Sequence, residues 1–218
     1  MKPARLSLSR RRLVVMAAGP ALLVLFPDPS PAATPTAGPE AVVKHLAERA
    51  WALVHRDDLD QRSRIDQLTE LLKSNTDVPL LSRLVLGRHW QQLSEAQRAG
   101  YEELFGTVVM RNFARRLDQY ANSSSGSLDQ HFQILGEQPA GHDDVLVRTK
   151  VLTQAGDSVD VDWRLRTRDG RSVIIDLIVE GASLLVSQRS EFAAVIERSS
   201  LDGLLAELRA RAAQSSES

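Results

Sequence analysis

The hydrophobic pattern of this 218-residue chain changes its period at the run of small polar residues 123–126. Before this run, apolar side chains recur at steps of three and four residues, most regularly over 101–120, which is the spacing of one buried helix face. After it, apolar and polar residues alternate over 145–152 and 159–166, as strands with one buried face do. The sequence therefore predicts one α+β domain in which helices pack on an antiparallel sheet.

Two helix starts are marked by side chains that can accept hydrogen bonds from free backbone N–H groups. Ser94 and Gln97 have the spacing of a capping box ahead of the longest helix. Asp77 stands before Pro79 and an apolar run, which is typical of a cap followed by proline in the first turn. We therefore expect helices to begin after Asp77 and after Ser94.

The register of the first hairpin can be predicted from its charges. A three-residue loop at 154–156 sets Lys150 opposite Asp160 and Arg148 opposite Asp162. Opposite charges then lie on one face of the sheet, and apolar side chains lie on the other. We therefore interpret Asp160 and Asp162 as partners in solvated ion pairs, and not as a catalytic acid and base.

Two registers compete in the second hairpin, which turns at Asp169 and Gly170. A two-residue loop puts Asp176 beside Trp163 on the apolar face, whereas a three-residue loop puts Ile175 there. We prefer the three-residue loop because it keeps that face of the sheet wholly apolar.

The first 32 residues differ in composition from the rest of the chain. They contain five basic residues, an apolar run over 13–26 and small residues at 30–32, which is the arrangement of a secretory signal peptide. The arginines at 10–12 also resemble a twin-arginine export signal, so two export routes stay open. The apolar run is shorter than the roughly twenty residues of a spanning helix, so a permanent membrane anchor is the weaker interpretation.

The remaining chain is expected to form one compact unit. Residues 33–40 read as a Pro-rich linker, 41–212 as the single domain and 213–218 as a polar tail. Within the domain, a last strand over 183–187 and a helix from 190 to about 211 should follow the second hairpin.

Charge and cysteine content argue against several classes of function. The chain has 27 Lys and Arg against 28 Asp and Glu, and without residues 1–32 its net charge would be −5. An acidic chain without a basic tract is a poor nucleic-acid binder. The absence of cysteine excludes disulfides, thiolate metal sites and cysteine nucleophiles. The five histidines have no ligand spacing on one element, so we expect no metal site.

Asp176 is the carboxylate that the pattern explains least, because it lies between Ile174 and Ile178 on a strand that is apolar on both faces. A buried acid needs a hydrogen-bond or ion-pair partner. The favoured interpretation is a structural bond beneath a covering helix. The alternative is a perturbed catalytic acid in a cavity.

Several motifs together resemble the MlaC family of periplasmic phospholipid-binding proteins, also called the toluene tolerance family. The likeness runs from about residue 40 to about residue 210. Its motifs are Leu86-Gly87-Arg88-His89-Trp90, Ser94-Glu95-Ala96-Gln97-Arg98, Asp160-Val161-Asp162-Trp163-Arg164-Leu165, Ile175-Asp176-Leu177-Ile178-Val179-Glu180-Gly181-Ala182-Ser183-Leu184-Leu185 and Gln188-Arg189-Ser190-Glu191-Phe192.

This resemblance implies a curved antiparallel sheet wrapped by helices, like that of the nuclear transport factor superfamily, with acyl chains held in an apolar pocket. Phospholipid would be the bound ligand, with no other cofactor. The pocket is expected between the apolar sheet face and the long helix, where core and pocket need the same residue types. The expected lining is Phe105, Val108, Phe113, Leu117, Val147, Val161, Trp163, Leu165, Ile175 and Leu177.

The resemblance also implies a monomeric, non-enzymatic shuttle in the periplasm. It would carry phospholipid between an outer-membrane lipoprotein complex and an inner-membrane ABC transporter complex. Arg88, Arg164 and Arg189 lie at motif positions outside the apolar stripes, so we expect some of them to face solvent and to meet partner proteins by charge. The competing hypotheses are an enzyme of the same cavity-bearing fold that uses Asp176, and a periplasmic adaptor that binds only proteins.

Overall fold

The computed structural model describes residues 38–122, 124–141, 143–152 and 156–217. The predicted leader, most of the predicted linker and the first two residues of the predicted hairpin loop lie outside these ranges. The described chain contains six α-helices, one 3-10 helix and five strands. The helices are α1 (Pro39–Val54), α2 (Gln61–Ser74), α3 (Val78–Leu86), the 3-10 helix (Gly87–Gln92), α4 (Glu95–Asn122), α5 (Leu128–His131) and α6 (Leu184–Glu217).

The strands form one antiparallel sheet in the order β1-β2-β3-β4-β5. Their bounds are β1 (Phe132–Pro139), β2 (Asp144–Leu152), β3 (Ser158–Arg168), β4 (Arg171–Val179) and β5 (Ala182–Ser183). The predicted α+β class is therefore confirmed. At the end of the sheet, β1 carries a bulge between Ile134 and Gly136, which leaves Leu135 exposed.

Both predicted helix starts are confirmed. Asp77 accepts a hydrogen bond of 3.0 Å from the backbone N–H of Leu80 at the start of α3. Ahead of α4, the N–H of Ser94 donates to Gln97 Oε1 at 3.0 Å, and the N–H of Gln97 donates to Ser94 Oγ at 3.3 Å. These bonds satisfy N–H groups that have no partner within the first helical turn.

The predicted register of the first hairpin is also confirmed. Lys150 lies opposite Asp160, and Arg148 lies opposite Asp162. The charged atoms of these pairs are 3.5 Å and 3.7 Å apart, respectively. Ion pairs this open to solvent contribute little to stability, so they fix the register more than they strengthen the sheet.

Neither predicted register describes the second hairpin completely. Asp169 and Gly170 form a two-residue turn with φ of 50° and 75°, so Arg168 lies opposite Arg171. Two positive φ values characterise the turn type whose twist matches that of paired strands. The prediction of a three-residue loop is therefore wrong at the turn.

Further along the same hairpin, a bulge at Ile175 shifts the register by one residue. Leu165 lies opposite Ile174, but Trp163 lies opposite Leu177 and not opposite Ile175 as predicted. Because two residues of β4 occupy the place of one, the alternation of faces is interrupted. This bulge explains how Ile174, Ile175 and Asp176 can all be buried in succession.

The predicted strand over 183–187 is also wrong. Strand β5 ends at Ser183, and α6 begins at Leu184. The Oγ of Ser183 accepts a hydrogen bond of 3.1 Å from the N–H of Val186, which is a helix cap that the alternation of side chains does not reveal. The backbone of Ser200 leaves the helical conformation, so α6 consists of two helical segments.

The buried apolar residues form two clusters that share α4. The first cluster joins α3 and α6 to the amino-terminal half of α4, with Tyr101, Phe105 and Phe192 at its centre. The second joins α1, α2 and the sheet to the carboxyl-terminal half of α4, and includes Leu46 and Leu165. The helices thus pack on the sheet mainly through the second cluster.

A buried carboxylate joins β2 to β3 on the other face of the sheet. Asp144 is 5% exposed, and it binds Arg164 and Arg166 with shortest distances of 2.6 Å each. The hydrogen bond from Arg166, reinforced by Arg164, holds the pKa of Asp144 below its ordinary value of 3.8.

We expect Asp144→Asn to lower the free energy of unfolding by about 1–3 kcal/mol at neutral pH, because two guanidinium groups lose an anionic partner. The folded state depresses the pKa of Asp144, so its contribution is complete above the ordinary value and disappears as pH falls through the folded-state value. Urea unfolding from pH 7 to pH 2 would measure this. The exposed neighbour variant Asp143→Asn should show no such loss, and a pH-independent difference for Asp144→Asn would contradict the linkage.

Candidate functional site

An apolar cavity lies where the two hydrophobic clusters meet. Its volume is about 170 Å³, and its walls come from α2, α3, α4, β3, β4 and the start of α6. The lining side chains are Leu72, Thr76, Leu81, Val85, Phe105, Val109, Met110, Phe113, Leu117, Trp163, Ile174, Asp176, Leu177, Leu184, Leu185 and Gln188. With three polar residues among sixteen, the cavity is suited to hydrocarbon.

Helix α4 supplies the longest wall of the cavity. Phe105, Val109, Phe113 and Leu117 follow one another at four-residue steps, so they lie on one stripe of the helix. Phe105 and Val109 are buried, whereas Phe113 and Leu117 are half-buried. The stripe therefore passes from the packed core into the cavity along a single helix.

The sheet supplies the opposite wall through paired positions on β3 and β4. Trp163 and Leu177 lie directly opposite each other, and both line the cavity. The indole N–H of Trp163 donates to Thr149 Oγ1 at 3.1 Å, and that hydroxyl donates to the carbonyl of Val161 at 2.7 Å. These two bonds satisfy the polar end of the indole, so that its ring can face an apolar space.

Asp176 lies in the wall, but its carboxylate oxygens are bound within the protein. Oδ1 accepts the N–H of Leu177 at 2.8 Å and the N–H of Leu185 at 3.0 Å. Oδ2 accepts the hydroxyl of Ser183 at 2.6 Å. The geometry agrees with the structural interpretation of this acid, because none of these partners is a nucleophile or base aimed at the cavity.

Half of the side chains expected in the pocket line the cavity. These are Phe105, Phe113, Leu117, Trp163 and Leu177. The other half are buried in the protein but are not part of the lining, and they are Val108, Val147, Val161, Leu165 and Ile175.

Sequence reasoning missed the lining from α3 and α6. Leu81 and Val85 are four residues apart on α3, which is the spacing of one helix face and could have indicated a wall. No signal of that kind marks Leu184 and Leu185, because the expectation of a strand there hides their helical arrangement.

The three arginines at motif positions have different surroundings. Arg88 and Arg189 are exposed, whereas Arg164 is half-buried and bound to Asp144. The guanidinium of Arg189 lies against Gly87, where a Cβ atom would come within 2.6 Å of it. Gly87 has a φ of 56°, so its backbone conformation favours glycine at this position.

The described residues contain neither a metal-binding group nor a membrane-spanning helix. Over the described ranges, no three His, Cys, Asp or Glu side chains are grouped so that they could hold a metal ion. His142 lies outside those ranges. None of the helices described is both long and apolar enough to cross a membrane.

Comparison with known proteins identifies a relative in Haemophilus influenzae, the intermembrane phospholipid transport system binding protein MlaC. The two sequences are 22% identical over 134 residues, an alignment that covers 60% of this chain and 59% of the relative. The chain is thus matched to less than two thirds of the relative's length.

A solved structure shares the fold. It is a phospholipid-binding protein from Ralstonia solanacearum, determined in complex with a phospholipid. The superposition has a TM-score of 0.65 at 24% sequence identity, and it covers 81% of this chain and 98% of that protein. The α+β arrangement of the present chain is therefore one that exists in a known protein.

The family comparison agrees with the motifs and with the fold. Residues 44–210, which are well over half of the chain, match the model of the family described as MlaC protein. This range begins within α1 and ends within α6, so it includes the whole sheet and every wall of the cavity. The chain therefore belongs to the MlaC family.

Proposed function

We propose that this protein binds a phospholipid by its acyl chains in the apolar cavity and carries it between two membranes. The observation that carries the proposal is the lining, in which thirteen of sixteen residues are apolar and the one carboxylate is bound within the protein. The name of the Haemophilus influenzae relative and the ligand of the Ralstonia solanacearum protein support this choice of cargo.

Burial of acyl chains can supply the affinity without a specific headgroup contact. Each methylene removed from water contributes about 0.8 kcal/mol, and a phospholipid carries two long chains. Phe113, Leu117 and Trp163 would make these contacts, while Thr76 and Gln188 are the uncharged polar groups of the lining. Selectivity among headgroups should therefore be slight.

The cavity must widen to hold such a ligand. Its volume of about 170 Å³ is below the roughly 300–1,000 Å³ of ordinary small-molecule pockets. The half-buried residues of its lining include Phe113, Leu117 and Leu185. We therefore infer that acyl chains enter by displacing these residues and separating the walls that carry them.

The proposed setting is the periplasm, which residues 1–32 would reach by a signal peptide of the secretory or twin-arginine type. There the protein would work as a monomer between an inner-membrane ABC transporter complex and an outer-membrane lipoprotein complex. The exposed side chains of Arg88 and Arg189 are available for charged contacts with these partners, whereas Arg164 is engaged by Asp144.

We infer a carrier without catalytic activity. An enzyme of the same fold would need an acid or base that can reach its substrate, and the Asp176 carboxylate already accepts three hydrogen bonds from the protein. A purely protein-binding adaptor would have no use for an apolar cavity at the junction of its two core clusters.

The first prediction is that the purified protein, expressed with its leader, carries close to one phospholipid per chain. Native mass spectrometry before and after solvent extraction of the lipid measures this occupancy. A ligand-free protein that also takes up no phospholipid from vesicles would contradict the proposed function.

A charge in the cavity should abolish lipid binding. Leu117→Asp places an unpaired carboxylate against the acyl chains, so we expect bound phospholipid to fall by about tenfold or more. Leu104→Asp is the matched control, because Leu104 is also half-buried on α4 but does not line the cavity. Lipid extraction from variants with wild-type circular dichroism compares them. Equal lipid content in the two variants would show that the acyl chains bind elsewhere.

Reversal of the exposed charges should affect delivery and leave binding intact. With Arg88→Glu and Arg189→Glu combined, we expect normal lipid content but slower exchange with the proposed membrane complexes at low salt, and a smaller difference at high salt. The exposed Arg168→Glu serves as the control for a change of net charge. Unchanged exchange rates at low salt would exclude these arginines from partner contacts.

A further inference from the structure

Asp176 is an acid in the wall of an apolar cavity, and its neighbour across the sheet does not neutralise it. It is 7% exposed, and it lies opposite Arg164 in the register of β3 and β4. The guanidinium of Arg164 is bound to Asp144, with a shortest distance of 2.6 Å. A buried carboxylate is costly unless its oxygens are bound, so its remaining partners should indicate its role.

Apart from the N–H of Leu177 on β4, those partners belong to the first turn of α6 and to the residue before it. Oδ1 accepts the N–H of Leu185 at 3.0 Å, and Oδ2 accepts the hydroxyl of Ser183 at 2.6 Å. The Oγ of Ser183 in turn accepts the N–H of Val186 at 3.1 Å. The N–H groups of Leu185 and Val186 have no intrahelical partner, because they lie in the first turn of the helix. The charged side chain of Asp176 accepts the first, and the hydroxyl of Ser183 accepts the second.

The same turn separates the cavity from solvent. Leu184, Leu185 and Gln188 line the cavity, while Val186 is 58% exposed. On this side the wall is therefore a single helical turn, with one surface towards the cavity and the other towards water. The carboxylate of Asp176 connects this turn to β4, which forms the neighbouring part of the wall.

We propose that Asp176 and Ser183 act as a latch on the first turn of α6, and that opening of this latch sets the rate of lipid exchange. The proposal rests on the proposed lipid-carrying function. Asp176 is a positioning residue in this scheme, because it acts through the backbone of α6. Lipid would enter and leave where Leu184 and Leu185 move away from β4.

The bonds of Asp176 and Ser183 affect how often the first turn of α6 opens. Separating the turn from β4 breaks the bonds of Asp176 to Leu185 and to Ser183 in a poorly hydrated place, where such bonds are strong. Segments of a folded protein open locally at a lower free-energy cost than global unfolding. Loss of the latch should lower that cost further for the first turn of α6, so the turn should open more often. Removal of the Ser183 hydroxyl leaves the cavity lining unchanged, so the amount of lipid that this variant binds at saturation should stay the same.

The test uses three latch variants: Ser183→Ala, Asp176→Asn and Asp176→Ala. Each is loaded with a phospholipid bearing one fluorescent acyl chain, and transfer to vesicles of phosphatidylethanolamine and phosphatidylglycerol is followed in time. We expect transfer to become faster in all three, by roughly tenfold for Asp176→Ala. Ser183 does not line the cavity, so the lipid stoichiometry of Ser183→Ala should stay at the wild-type value. Ser183→Ala and Asp176→Asn keep the test valid if Asp176→Ala does not fold.

Asp118→Asn is the matched control for a general loss of stability. Asp118 is a buried carboxylate on α4 that binds Arg64 at 2.9 Å and does not line the cavity. This variant should lower the melting temperature without accelerating transfer. Amide hydrogen exchange adds a direct readout, since the N–H groups of Leu185 and Val186 should lose protection in the latch variants and keep it in Asp118→Asn.

The outcomes separate the latch from the function on which it rests. A wild-type protein that takes up no labelled phospholipid overturns both proposals. A wild-type protein that carries lipid, with latch variants that transfer it at the wild-type rate, overturns the latch alone. Equal acceleration by Asp118→Asn also overturns it, because transfer would then follow overall stability.

Discussion

Helix α4 belongs to two hydrophobic clusters at once, and the cavity lies where it passes from one to the other. Up to Met110 its buried residues pack with α3 and α6, and from Ala114 onward they pack with α1, α2 and the sheet. Phe113, between these two points, is half-buried and lines the cavity together with Met110. Two cores that share one helix need not meet along its whole length, and the cavity occupies the space between them.

The bulge at Ile175 determines what the sheet presents to that space. It allows Ile174 to pack with Leu165 while Leu177 pairs with Trp163, and it leaves Asp176 beside the start of α6. Continuous alternation would instead have put a carboxylate opposite the indole. One inserted residue thus supplies both an apolar wall and a polar anchor for the helix that closes it.

The features that were predictable from sequence are those set by local chemistry. The caps at Asp77 and Ser94 and the charge pairs of β2 and β3 each depend on residues close in sequence, and all are present. The bulge was not predictable, because Asp176 is stabilised by a helix that follows it. Strand β1 was also not anticipated, since Gly136 and its bulge interrupt the alternation that marks a strand. For the site, periodicity identified apolar faces but could not tell which of them border an empty space.

The sheet ends at β1, whose outer edge pairs with no other strand in the described part of the chain. A free edge offers backbone N–H and C=O groups to any strand that approaches it. Here the bulge at Leu135 and the missing N–H of Pro139 interrupt that row, and Glu137 accepts the N–H of Glu40 on α1 at 2.6 Å. This edge is therefore a poor template for cross-β growth.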